Sequence, residues 1–205
     1  MCKSTKSGKL VHGIGTKGMR YPTRDEINNL KEYNLWADML RRCTPEFWNE
    51  RPAYTGVTCS ENFKSYEYFY EWCQQQNGFR SKHDNGRFWH LDKDILVRGN
   101  KVYSEDTCVF LPQNINLLIT DSKGIRGKYP IGVTFDSRRN KFQSRCHDGT
   151  GTLKHLGLFY TAEDAFQAYK VYKEVLIKQV ANEYRTQIDP RAYQALLDYT
   201  VEITD

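Results

Sequence analysis

No apolar stretch approaches the roughly 18 residues that a membrane span requires, and the mean hydropathy of −0.73 is low, so a transmembrane chain is excluded. Cysteine occurs without a ligand pattern: Cys2, Cys43, Cys59, Cys73, Cys108 and Cys146 contain no C-x-x-C pair. That spacing argues against a zinc ribbon and, in a chain of 205 residues, against a disulfide framework. Reduced thiols in a cytoplasm are therefore expected. The first 20 residues carry five basic side chains (Lys3, Lys6, Lys9, Lys17, Arg20) but no apolar core segment, so a signal peptide is not expected. The length suits one large domain or two small ones, each able to bury a real core.

Acidic residues are missing from two blocks. Residues 1–24 hold six Lys/Arg and no acid, and residues 122–160 hold eight basic against two acidic groups. The middle, 25–121, has 11 basic and 15 acidic groups, and the end, 161–205, five and eight. Two basic blocks around a slightly acidic middle point to a polyanion partner, provided that the cations share a surface.

The chain is organised around FWHLDKDILVRGNKVYSEDTCVFLPQNINLLITD, from Phe88 to Asp121. Read as a strand, Phe88 to Leu96 places His90, Asp92 and Asp94 on one face, because side chains at i and i+2 point the same way. One imidazole with two carboxylates is a candidate site for a divalent cation and a proton acceptor. The bland alternative is a wet hairpin whose acids are simply solvated. Arg98-Gly99-Asn100-Lys101 reads as the hairpin turn, since Gly and Asn adopt positive φ cheaply. Val102 to Phe110 then returns, and Pro112 to Asn116 leads into a short helix.

Before this stretch, 1–24 reads as a basic, flexible arm. Asp25 to Cys43 reads as a helix with a stripe of Leu30, Tyr33, Trp36 and Leu40. Thr44 to Cys59 reads as an irregular link with an extended piece at Tyr54 to Thr58. Ser60 caps a second helix, Glu61 to Gln76, whose aromatics at helical spacing are core. After it, the glycine-punctuated 122–128 is the expected linker. Three short strands follow, Ile131 to Phe135, Lys141 to His147 and Leu153 to Phe159. A long helix opens at Thr161-Ala162-Glu163-Asp164, and a last one lies around Pro190 to Tyr199.

The segment YPIGVTFDSRRNKFQSRCHDGTGTLKHLGLFYTAEDAFQAY resembles an AP2-type DNA-binding domain. The resemblance is carried by Gly132-Val133, Lys141-Phe142, Leu156-Gly157-x-Phe159 and Thr161-x-Glu163-x-Ala165-x-x-Ala168-Tyr169. It implies a three-stranded sheet laid in the major groove with a helix packed behind. Strand alternation agrees, putting Lys141, Gln143, Arg145 and His147 on one face and Phe142, Ser144 and Cys146 on the other. Such donors suit phosphates and base edges better than a core. The resemblance places DNA contacts at Thr134, Arg138, Lys141, Gln143, Arg145, His147 and His155. It departs from plant-type members at Thr134 and Asp136, where those carry arginines, and at His155, where they carry tryptophan.

Tyr33-x-x-Trp36-x-x-Met39-Leu40-x-Arg42-Cys43, Trp72 and LDKDIL-GNK-YS-TC-F-P-IN are similar to phage homing endonucleases of the HNH superfamily, which join a ββα-metal core to an AP2-like reader. The similarity implies a histidine base, a Mg2+ or Mn2+ ion that stabilises phosphorane charge, and an asparagine orienting the histidine. Where that family has Asp-His, this chain has Asp92-Lys93. His90 or Lys93 is then the candidate base, with Asn100 as orienter and Asp92, Asp94 and Asn116 as metal ligands. A buried neutral Lys is disfavoured beside acids, so His90 leads.

The expected fold class is α+β. Residues 25–121 form an HNH-like ββα-metal core with N-terminal helices, and 129–205 an AP2-like three-stranded antiparallel sheet packed on a helix. The expected partner is double-stranded DNA in the cytoplasm of a bacterial host, with metal-dependent cleavage or nicking as the activity. The alternatives are a DNA-binding protein that has lost the chemistry and a phage protein that binds a host protein.

Overall fold

In a computed structural model of the chain, residues 9–83, 85–119 and 127–205 are described. The chain folds as two compact units, Met1–Phe110 and Leu111–Asp205. The class is mixed α and β, and no helix among the described residues is long and apolar enough to cross a membrane.

In the first unit, α1 (Lys31–Arg42) presents Trp36, Met39 and Leu40 to the core, as its stripe predicts. It starts later than the periodicity indicates. The Asp25 carboxylate accepts the Ile27 and Asn28 N–H groups at 2.8 and 2.6 Å, which bends the chain before the helix can begin. The expected link contains a helix, α2 (Pro45–Glu50), with Thr44 accepting the Phe47 N–H and Pro45 in the first turn. A two-residue strand, β1 (Thr58–Cys59), follows. Ser60 opens no long helix: it accepts the Phe63 N–H at 3.3 Å just before a single 3-10 turn, Asn62–Lys64, whose N-cap is Glu61. The cap of α3 (Tyr66–Gln75) is Ser65. Phe63, Tyr66, Phe69, Trp72 and Cys73 are all buried, so the aromatics are core. Phe63 and Trp72 meet edge to face at 4.9 Å, and the Trp36 indole N–H donates to the Phe63 carbonyl at 2.8 Å.

Residues 9–24, read above as part of a flexible arm, are held along α3; residues 1–8 lie outside the described residues. Glu67 accepts the Met19 and Arg20 N–H groups at 2.8 and 2.7 Å, Arg20 pairs with Glu71, and Tyr21 stacks on Tyr70 at 4.1 Å.

The central stretch departs most from expectation. Of the expected strand Phe88 to Leu96, only β2 (His90–Asp92) is strand. The Asp92 carboxylate accepts the Asp94 and Ile95 N–H groups, both at 2.9 Å, and this local alternative to a ladder turns the chain. Asp94 therefore leaves the strand. β3 (Val102–Tyr103) does not return along β2; it pairs in parallel with β1, while β2 pairs with β4 (Val109–Leu111).

The second unit opens with α4 (Gln113–Ile119); the expected linker lies largely in 120–126, outside the described residues. An antiparallel sheet follows in the order β5 (Val133–Asp136), β6 (Lys141–His147), β7 (Leu153–Phe159). The long helix α5 (Ala162–Glu183) and α6 (Pro190–Leu197) complete the unit. Val133 and Cys146 from the sheet, Ala165, Phe166 and Tyr169 from α5, and Val201 form its buried cluster. Gly132, at φ 75°, lets the chain pass flush against the Tyr169 ring.

Candidate functional site

The face of the β5–β7 sheet turned away from α5 gathers most of the residues singled out above. Phe142, Ser144 and Cys146 point inward, Ser144 and Cys146 being buried, and Arg145 and His147 are exposed. Registry extends this division to the neighbouring strands, since residues paired across a sheet share a face. Thr134 pairs with Gln143, and His155 with Arg145. Arg138 is exposed in the turn between β5 and β6. Thr134, Lys141, Gln143, Arg145, His147 and His155 are thus brought onto one surface, with Arg138 at its margin.

The two acids of these hairpins are committed locally. Asp136 accepts the Arg138 and Arg139 N–H groups and pairs with the Arg139 guanidinium at 2.7 Å. These bonds, the Arg139 side chain first, hold its carboxyl below the usual carboxylate range. Asp148 accepts from the Thr150 hydroxyl and from the Thr150 and Thr152 N–H groups, closing the β6–β7 turn, and it too is held low. Among the described residues no carboxylate pairs with Arg138, Lys141 or Arg145. Lys141 Nζ instead lies 4.4 Å from the centre of the Tyr160 ring, which is 81 % exposed. Tyr160 escapes a reading by alternation because it follows the last strand residue. An aromatic just before a helix cap was its only signal.

The residues expected at a metal site are arranged otherwise. His90 lies on β2, its pKa lowered by partial burial and then by His83, Arg42 and Arg87. Asp92 spends one oxygen on two backbone N–H groups, yet burial raises its pKa. The Lys93 side chain is only 9 % exposed. Its ammonium bonds the Asp94 carboxylate and, at 3.0 Å, the Asn100 carbonyl. Asn100 donates to the Lys93 and Val102 carbonyls, each at 2.7 Å, and accepts the Val102 N–H at 3.1 Å. Asn116 lies on α4, in the second unit.

Lys93, Asp94 and Asn100 therefore close the 92–102 loop upon itself. The Lys93 ammonium stands beside the Asp94 carboxylate. Among the described residues no three His, Cys, Asp or Glu side chains come together as metal ligands. This loop as arranged does not fit a Mg2+ or Mn2+ ion. No family model, curated protein or solved structure matches the chain.

A pair of thiols in the first unit carries chemistry that the sequence did not mark. Cys43 caps the C-terminal end of α1, its thiol donating to the Met39 carbonyl at 3.3 Å, and Cys59 ends β1. The neighbouring Cys43 thiol lowers the pKa of Cys59, and Cys59 together with burial raises that of Cys43.

Proposed function

We propose that the chain binds double-stranded DNA through the outer face of β5, β6 and β7. One observation carries this reading: Arg138, Lys141, Gln143, Arg145, His147 and His155 share or border one surface, on which no described carboxylate neutralises the cations. Three cations and several amide and imidazole groups on a pleated face are costly as core and well matched to phosphates and base edges. The AP2-like pattern of the same segment supports the same face. Metal-dependent cleavage, the second reading, rests on the HNH-like pattern of the central stretch, whose Lys93 and Asn100 are engaged in holding their own loop.

The test is duplex binding by fluorescence anisotropy across a salt series, beside a plasmid nicking assay with Mg2+ or Mn2+. Salt-sensitive binding without nicking is the expected result. Nicking that is lost in both His90→Ala and Asp92→Ala would add cleavage to binding and place it on β2. Failure to bind any duplex at low salt would refute the proposal and favour a protein partner.

A further inference from the structure

On the outer face the Gln143 amide is held by a second polar side chain. Gln143 Nε2 lies 3.0 Å from His155 Nδ1. A register shift between Ser144 and Arg145 makes this possible, because it places His155 opposite Arg145 with its ring reaching diagonally to Gln143. A side-chain amide has two N–H donors and one acceptor oxygen. The bond to Nδ1 uses one N–H and leaves Oε1 and the second N–H side by side. With Nδ1 accepting, the imidazole proton sits on Nε2. With the proton on Nδ1 instead, a flipped amide would accept it through Oε1, and an N–H and an oxygen lone pair would still lie side by side.

An acceptor beside a donor is the complement of one base edge. Adenine presents an N6–H donor and an N7 acceptor in the major groove, and glutamine bonds it in two places. Guanine offers two acceptors there and rejects the Oε1 half of the amide. We infer that Gln143, positioned by His155, reads an adenine in the major groove of duplex DNA. This rests on the DNA-binding reading above and names the base that the surface selects. His155 acts as a positioning residue, and Gln143 is the contact.

The experiment enriches randomised duplexes on the full chain and then measures Kd with the base at each position of the recovered site varied. Wild type is expected to prefer adenine at one position by about ten- to a hundredfold. Gln143→Ala should abolish that preference alone. His155→Phe, which removes the acceptor and leaves Gln143 in place, should relax the preference severalfold, more than it weakens affinity for unselected duplex. His155→Gln, which restores an acceptor, should recover it. Binding without an adenine preference that depends on Gln143, or a preference indifferent to His155→Phe, overturns the inference alone. Failure of wild type to bind any duplex overturns the DNA-binding reading as well.

Discussion

The Asp92 carboxylate accepts two backbone N–H groups, and burial still lifts its pKa above the ordinary 3.8. The ionised form is thus penalised in the folded chain. As pH rises through the unfolded-state value, the unfolded chain ionises first and folding loses stability, until the raised folded-state value is passed. Asp92→Asn keeps an acceptor for the turn and has nothing to ionise. Its melting temperature relative to wild type should therefore climb between about pH 4 and neutrality, and a flat difference would show that Asp92 is not penalised. Asp92→Ala, which removes the acceptor, should cost about 1–2 kcal/mol in denaturant unfolding. Thiol reactivity gives a second prediction at this scale. Cys59 is half-buried, with its pKa lowered by the Cys43 thiol and then by Lys64. Burial raises Cys73 and Cys146 and pushes Cys108 up to about 12. Peptide mapping after brief alkylation of native protein should find Cys59 modified first among the five cysteines of the described residues, and Cys43→Ala should slow it by removing the neighbouring thiol. Earlier labelling of Cys43 would contradict the arrangement.

Among the elements, β5 and α5 depend on two small features at their ends. Gly132 has φ 75°, and a Cβ there would run into the Tyr169 ring. Gly132→Ala should destabilise the second unit by roughly 2–4 kcal/mol, from the left-handed backbone and the displaced ring together. Thr161 accepts the Asp164 N–H at 3.1 Å, so Thr161→Ala should cost only about 1 kcal/mol. Denaturant unfolding followed by near-UV signals checks both, and a Gly132→Ala cost below that of Thr161→Ala would refute the packing account. These elements were legible in the sequence because their signals are local. Alternation in Lys141–His147 and the cap at Thr161 each fix a structure within a few residues. The 92–102 loop was not legible, because the Asp92 side chain replaces ladder bonds that a periodic pattern assumes. Nor was the pairing of β3 with β1, which is chosen by residues 40 or more positions apart in the chain. The clamping of residues 9–24 by Glu67, Glu71 and Tyr70 is equally non-local, and a Gly-, Lys- and Ser-rich segment carries no sign of it.

For the whole molecule, a net charge of +5 says little about where a polyanion would bind, since both basic blocks contribute to it. The salt dependence of affinity separates them. Each phosphate neutralised adds about −0.9 to the slope of log K against log salt. Arg138, Lys141 and Arg145 on the sheet face predict a slope of about −3 if each takes one phosphate, and a smaller magnitude if Arg145 reads a base instead. Replacing Lys141 and Arg145 together by alanine should reduce the magnitude by about two in the first case and by about one in the second. Asp92→Asn, in the other unit, should leave it unchanged. If the double variant kept the wild-type slope, the phosphate contacts would have to lie elsewhere. Residues 9–24 are then the next place to look, where Arg20 is already paired with Glu71 but Lys9 and Arg24 have no carboxylate partner among the described residues. A reduced slope with the Gln143-dependent base preference intact would separate the two tasks of the face, cations for grip and the glutamine for choice.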